Sequence, residues 1–570
     1  MKGNFKLAEA LKEAGAQEIV EGSSRCRFQI EKNGKPWNLE VEWEHATILP
    51  RFYLGKEHCT HHRPHVNWER NVCYSDGEGL FFDHEHPEAV LKTGLDLAIK
   101  VLEDGENCDL NPFWDEQEAF FNLTGAEAIR GTADCYFDLD ETPRKLKSFK
   151  KSGKFRTYKF FEDKTQCWDL HLSDYRDAQL GKGNRPQKGQ KQRKQKAKRP
   201  QCHSPAAYYL PLDQPVEPPL PGEAWTAEKA LRLVEPFSAD FPELTTYLKK
   251  NHQLYIFSIP RAGNARGAFA VEVNPKKSAS VHVFHLSIAR HTKKYMQKRG
   301  SVPDSFQMNT QKIAIIGCGS VGGYMANMLA QSGFDQFTLV DHDAFLPENI
   351  YRHILPRRYI GKNKASALKH FLENSFPQMT VKDVPDQVQS WAVKQNLEEH
   401  EILILATGNP ALERYLNQSF RSVARDDQVL MSIWLEPLGL GGHVLLHAAN
   451  SKGCLNCLYT RENELISHPV VSFIEPGQKV SRNLTGCGGA FTPFSSLDAQ
   501  TTAILAVRTL ETYCSAPRTS NYACWFGNST VAKQNDIATS VVFNSNFAEK
   551  DVWWSQQLRY GCPICNARGL

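Results

Sequence analysis

No stretch of this 570-residue chain is apolar for the roughly 20 residues that a bilayer-spanning helix needs. A helical membrane protein is therefore excluded and no membrane partner is expected. The chain also lacks an excess of either charge. Its 68 Lys and Arg against 64 Asp and Glu leave +4, so no general polyanion binding follows and nucleic acid is not an expected partner. No secretory leader is recognisable, because residues 1–15 form a charged, amphipathic segment. The 15 cysteines are accordingly read as thiols and metal ligands in a reducing cytoplasm rather than as disulfides. No internal repeat is evident. What remains is an ordinary globular mix, 41% hydrophobic and 23% charged, in a chain long enough for about two to four domains.

The rest of the chain is organised around residues 312–364. The apolar run 313–316 suits a buried parallel strand and breaks into Gly317, Gly319 and Gly322. A helical period then carries Val321, Met325 and Leu329, and Gly333 is placed to stop that helix. A second apolar run, 337–340, ends in Asp341 and Asp343. The pattern predicts a β-α-β unit with a glycine-rich first turn. Such a turn lets the backbone approach a phosphate chain, which the helix N-terminus attracts, and an acid about 20 residues on can hold a ribose hydroxyl. Alone, this fingerprint fits an ordinary NAD-binding turn as well. Asn349, Arg352 and Lys364 shift the reading, since two fixed cations suit phosphates with negative charge in motion and a nicotinamide ring needs an apolar slot.

Further on, Cys454 and Cys457 form one C-x-x-C knuckle and Cys562 and Cys565 another. Four thiolates can close a tetrahedral site, for which zinc is the usual occupant, and the ion would clip the end of the chain onto its domain. A redox-active C-x-x-C is the competing reading. Between the knuckles, Cys487 sits in a glycine-flanked loop just before an Ala/Leu/Val-faced helix, while Cys514 and Cys524 read as packing thiols.

The first 130 residues form one block. Residues 5–14 have a helical rhythm, 26–30 and 37–43 alternate like strands around an Asn33-Gly34 turn, 48–54 is another strand candidate, and 87–102 is a long helix. An irregular loop, 61–79, holds Cys73. Cys59 and Cys108 are competing thiols, but carboxylates flank Cys108, whereas Arg70 and His65 are near Cys73 in sequence. From 131 to 224 the pattern loosens into basic runs at 145–159 and 181–200, then a proline-rich spacer at 215–221, read together as a linker. Residues 225–300 are read as a small α+β connector with strands near 253–259, 268–273 and 280–286.

With these motifs in place, residues 301–570 resemble the ThiF/MoeB and ubiquitin-activating adenylation family. The resemblance implies an α/β, Rossmann-like fold that binds ATP and Mg2+ through Gly317, Gly319, Gly322, Asp343, Asn349, Arg352 and Lys364. It implies attack on ATP by a protein's C-terminal carboxylate, capture of the acyl group by Cys487, structural Zn2+ on Cys454, Cys457, Cys562 and Cys565, and a homodimer. One position departs from the pattern: Gly408 stands where the family commonly has a magnesium-holding aspartate. Arg290 and Arg299 are candidates for an additional phosphate-contacting arginine.

Residues 1–130 resemble the ubiquitin-conjugating enzymes, an α+β fold whose His-Pro-Asn precedes the catalytic cysteine by eight residues. Here Arg63-Pro64-His65 stands in that place, with Cys73 eight residues after His65. The resemblance makes Cys73 a second thioester site. His65 then replaces the asparagine as oxyanion donor or base, unless Asn67 reaches in. As a whole, the multidomain α/β chain resembles the conjugating–activating fusions of bacterial CBASS antiphage operons. The implied partners are the C-terminus of a cGAS-like nucleotidyltransferase, or a ubiquitin-like protein, and a lysine-bearing target. The alternatives are an activating enzyme whose N-terminal block is only a binding module, and a nucleotide-binding regulator without catalysis.

Overall fold

The computed structural model describes residues 6–45, 47–67, 69–75, 80, 82–107, 129–151, 156–161, 206–218, 226–244, 252–261, 265–275, 281–298, 300, 311–376, 379–393, 396–459, 468–483, 490–515, 521–545, 562 and 564. They fall into two compact units, Met1–Thr292 and Lys293–Leu570. Among the described residues no helix is long and apolar enough to cross a membrane.

The first unit opens with the helix Leu7–Glu13 and an antiparallel meander of β1 (Gln17–Glu21), β2 (Cys26–Lys32), β3 (Lys35–Glu42) and β4 (Arg51–Leu54). Asn33 and Gly34, at φ 52° and 77°, turn β2 into β3, a left-handed pair that matches the natural twist of a two-residue hairpin. Alternation then puts Cys26, Phe28 and Ile30 of β2 on the same buried face as Trp37, Leu39 and Val41 of β3. The helix Pro87–Asn107 covers that face with Leu91, Leu95, Ala98, Ile99 and Leu102, a spacing that keeps one helical stripe apolar.

The second half of this unit is a closed barrel of seven strands: β5 (Ile129–Cys135), β6 (Arg144–Lys151), β7 (Arg156–Phe161), β8 (Ala206–Pro211), β9 (Gln253–Arg261), β10 (Ala265–Pro275) and β11 (Val281–Arg290). They run in the order β10-β11-β5-β7-β6-β8-β9 around the barrel. The linker expected over 131–224 is corrected here, because that stretch supplies strands to the barrel. In β6, Leu146 and Ser148 are buried while Lys145 and Lys147 are exposed, and in β7 Tyr158 and Phe160 are buried. A strand with one buried face needs an apolar residue only at every second position, so its solvent face can be all lysine and read as a basic run. The second basic run, 181–200, lies outside the described residues. The helix Ala227–Val234, capped by the Thr226 side chain, lays Ala230 and Val234 on Tyr255, Phe257, Phe269 and Val271. The alternate residues, Leu254, Ile256, Ala268 and Ala270, join Tyr158, Phe160 and Tyr209 in the other barrel cluster.

The second unit is built on a seven-stranded sheet. Its strands are β12 (Lys312–Ile316), β13 (Gln336–Val340), β14 (Thr380–Val384), β15 (Ile402–Leu405), β16 (Val429–Glu436), β17 (Gly441–Ala448) and, after the short pair β18 (Arg482–Asn483) and β19 (Ala490–Phe491), β20 (Asn521–Phe526). The order is β14-β13-β12-β15-β16-β17-β20, parallel from β14 to β16 and antiparallel beyond. The helices Ser320–Gln331, Lys364–Ser375 and Ser496–Ser515 pack on one face, and Val388–Val393 and Pro410–Val423 on the other. This is the expected doubly wound α/β architecture. Gly333, at φ 102°, follows the helix Ser320–Gln331 as expected, and the Phe334 N–H reaches back to the Leu329 carbonyl.

Candidate functional site

In a parallel sheet with helices on both faces, ligands bind beyond the carboxyl ends of the strands where the order reverses. Here the reversal falls between β12 and β15. A cavity of about 720 Å³ opens there, walled by residues that follow β12 (Gly319, Ser320), β15 (Thr407, Gly408) and β16 (Pro437). Of the residues expected to bind nucleotide, Gly319, Asn349, Arg352 and Lys364 line it.

The three glycines do different work. A Cβ on Gly317, whose φ is 93°, would lie 2.5 Å from the Ala406 carbonyl oxygen, and one on Gly322 would lie 1.9 Å from the Gly317 oxygen. Both let main chains touch behind the cavity. A Cβ on Gly319 would meet nothing within 4 Å, so this glycine leaves the cavity wall bare. Asp341 ties the turn from below: its carboxylate accepts the Cys318 N–H and the Asp343 N–H, both at 2.8 Å. Asp343 accepts from the Lys364 ammonium at 2.8 Å; burial pushes its carboxyl up, but Lys364 more than offsets this and holds it below the usual value. Asn349 caps the short helix Pro347–Arg352 by accepting the Leu346 N–H at 2.9 Å, and the Arg352 guanidinium lies over the Phe494 ring at 5.3 Å.

Two residues of the wall escaped the sequence reading. His353 is buried and accepts the Leu355 N–H on Nδ1, so Nε2 carries the proton and donates to the Cys318 carbonyl at 2.7 Å. Burial lowers its pKa to about 4, keeping it neutral. Glu413, from the first turn of Pro410–Val423, is 3% exposed and lines the cavity. Its Oε1 accepts from the Thr407 N–H, the Thr407 hydroxyl and the Gly408 N–H at 3.0, 2.8 and 3.2 Å, yet burial raises its pKa to about 7. Glu413 stands five positions after Gly408, so the only advance signal is an acid in the first turn of a helix, which ordinarily serves the helix dipole.

Much of the remaining lining is apolar, with Trp434, Tyr459, Pro469, Ile474, Phe491 and Phe494. Phe491 belongs to β19, which pairs with β18, so these two strands bring both ends of the 484–489 loop together beside the wall. Cys487 itself lies outside the described residues, as do Cys565, Cys108 and Arg299. The Arg290 guanidinium donates to the Arg266 carbonyl at the end of β11, a role within the barrel.

Cys454, Cys457 and Cys562 are buried and bring their sulfurs within 4.8 Å of one another. The Cys454–Cys562 separation is 4.0 Å, against about 3.8 Å between sulfurs on a tetrahedral ion with bonds of about 2.3 Å. The soft donor set and its spacing fit zinc.

In the first unit, Cys73 is exposed and its N–H donates to the His65 carbonyl at 2.7 Å. The loop between them is a tight hairpin in which Val66 bridges Val72 and the Asn67 side chain accepts the Asn71 N–H at 2.9 Å. Asn67 therefore shapes the loop. His65 and Arg70 hold left-handed φ of 60° and 71°. Arg70 donates to the Leu54 carbonyl at 2.7 Å and to Glu40 at 3.4 Å, so proximity in sequence does not commit it to the thiol. Cys59 is half-buried, donates to the Gly55 carbonyl, and burial pushes its pKa up.

Comparison with known proteins adds the family. Residues 293–539 match the ThiF family. The ATP-dependent ubiquitin transferase-like protein Cap2 of Pseudomonas aeruginosa (strain BWHPSA011 / Pa011) is 29% identical over 243 residues, 41% of this chain and 42% of that one. The protein of the same name from Vibrio cholerae serotype O1 (strain ATCC 39315 / El Tor Inaba N16961) is 27% identical over 237 residues, 40% of each. The match thus spans about two fifths of the length of these relatives. A crystal structure of E. coli MccB with MccA-N7isoASN aligns at 19% identity over 46% of this chain and 68% of that one, with a TM-score of 0.33. The C-terminal part of the chain, residues 293–539, is a ThiF family domain.

Proposed function

We propose that the chain uses ATP to activate the C-terminal carboxylate of a protein and passes the acyl group through two cysteines to an amine. The carboxylate attacks the α-phosphorus of ATP and pyrophosphate leaves. The Cys487 thiolate then attacks the acyl-adenylate and AMP leaves. The Cys73 thiolate takes the acyl group from Cys487, and a lysine amine of the target takes it from Cys73, each step releasing the previous thiolate. Gly319, Asn349, Arg352 and Lys364 face the triphosphate, with Gly317, Gly322 and Asp343 holding the turn behind them. Magnesium, arriving with the nucleotide, supplies charge neutralisation. Zinc on Cys454, Cys457, Cys562 and Cys565 holds the chain's end to the domain. The donor is a cGAS-like nucleotidyltransferase tail or a ubiquitin-like protein, and the active form is a homodimer.

The observation that carries this reading is one cavity that joins two cations at the sheet's switch point to the base of the Cys487 loop. An NAD site would not need that second half. The two relatives named as ATP-dependent ubiquitin transferase-like support it. The test is adduct formation with ATP and donor. The unsubstituted protein should form an adduct that a reducing agent removes, Cys487→Ala should form none, and Cys73→Ala should hold the donor on Cys487 without passing it to amines. Conjugation by Cys73→Ala at the unsubstituted rate would reduce the N-terminal block to a binding module.

A further inference from the structure

Nucleoside triphosphate carries about four negative charges near neutral pH, and the cavity wall presents two cations, Arg352 and Lys364, of which Lys364 already pairs with Asp343. The remaining charge calls for a divalent ion, and such an ion is held by one or two carboxylates together with phosphate oxygens and water. Among the described residues three carboxylates line the cavity: Glu413, Glu436 and Glu475. Glu436 is paired with His443 at 3.0 Å, and Glu475 is exposed.

Glu413 differs from both. It is buried in the wall that also holds Thr407 and Gly408, and all three of its hydrogen bonds converge on Oε1, leaving Oε2 outside them. Tying the turn needs only an acceptor, which a neutral side chain would supply without the cost of burying a carboxyl group. Beside it, Gly408 holds φ at 66°, and a Cβ there would meet nothing within 4 Å, so the wall next to the carboxylate is open. The Thr407 hydroxyl, bonded to the same carboxylate at 2.8 Å, adds a second oxygen to that wall, and oxygen is the donor a hard cation takes. Resting on the nucleotide reading above, we propose that Oε2 of Glu413 holds the divalent cation that accompanies the triphosphate in this cavity.

The experiment measures binding of a non-hydrolysable ATP analogue to the full chain with and without Mg2+, and of Mn2+ by electron paramagnetic resonance. Glu413→Gln keeps the Oε1 acceptor and replaces Oε2 by an amide. It should bind the metal-free analogue as the unsubstituted protein does, and should lose the gain in affinity conferred by Mg2+, about tenfold or more. A full Mg2+ gain in Glu413→Gln overturns the proposal and leaves the glutamate as a tie for the turn. Gly408→Asp provides a second, independent variant, since the space is open and aspartate is among the side chains that enter the left-handed region most readily. With a carboxylate added beside Glu413 it should bind Mn2+ with the analogue several-fold more tightly, and unchanged Mn2+ affinity overturns the proposal even if Glu413→Gln misfolds. If the unsubstituted protein binds no analogue in either condition, the nucleotide reading itself fails and takes this proposal with it.

Discussion

Gly322→Ala isolates the part of the glycine turn that is structural. The added methyl would lie 1.9 Å from the Gly317 carbonyl oxygen and 3.5 Å from Ile315 Cγ2. Ordinary contact begins near 3.5 Å, so the helix Ser320–Gln331 must retreat from the turn by roughly 1.5 Å. The turn cannot yield instead, because Gly317 is itself held against Ala406 and its N–H is bonded to the Val340 carbonyl at 2.9 Å. Overpacking against main chain costs about 3 kcal/mol, and the helix-forming advantage of alanine returns up to about 1 kcal/mol, which leaves a net loss of about 2 kcal/mol. Gly319→Ala is the control. Its φ of −76° suits any residue and its methyl meets nothing, so stability should stay within about 0.5 kcal/mol. On the proposed function that methyl would occupy the wall the phosphates approach, and binding of an ATP analogue should weaken about tenfold. Urea unfolding of both variants, paired with analogue titration, measures the contrast. Gly322→Ala as stable as the unsubstituted protein, or Gly319→Ala destabilised as much as Gly322→Ala, would refute the division of roles.

Three further outcomes are expected. Metal analysis of the purified chain should find about one zinc per molecule, and Cys454→Ser should lose it together with a cooperative part of the unfolding transition; a variant that keeps its full zinc places the site elsewhere. Because burial raises the Cys59 pKa, less of that thiol is ionised near neutral pH, and the thiolate is the form that reacts. Iodoacetamide should therefore label the exposed Cys73 at least about tenfold faster than Cys59, as peptide mass spectrometry would show, and equal rates would remove the case for Cys73 as the accessible thiol. His353→Leu removes the partner of both the Cys318 carbonyl and the Leu355 N–H, and should lower stability by about 2 to 4 kcal/mol in denaturant titration. A loss below about 0.5 kcal/mol would show that water replaces the imidazole at no cost.

How far these residues were legible depends on how local their causes are. A strand, a glycine turn and a helix follow one another in 312–333 without help from elsewhere, so periods of 2 and 3.6 residues and the position of Gly333 were enough to place them. The same holds for the Asn33-Gly34 hairpin and for the helix that follows the Cys487 loop. The barrel was not legible, because its closure joins strands far apart in the chain: β5 pairs with β11, Ile129 facing His285, and β8 pairs with β9 across an intervening helix. Each strand alone shows only alternating lysines or a short apolar run, and nothing in that local pattern names a partner.

The site divides in the same way. Gly319, Asn349, Arg352 and Lys364 could be named from order and spacing because one β-α-β unit and its following loop deliver all four to the same wall. The sequence by itself determined those positions and the pairing of Cys454 with Cys457 in one C-x-x-C. Only the tertiary structure decided that Gly317 and Gly322 serve main-chain contact, that Asn67 and Arg70 are bound within or beside their own loop, and that Glu413 and His353 stand in the cavity wall. A side chain's spacing sets which face of its own element it occupies. Its burial, its hydrogen-bond partners and the charge it carries are set by neighbours from other elements, and those neighbours are chosen by packing across the whole sheet.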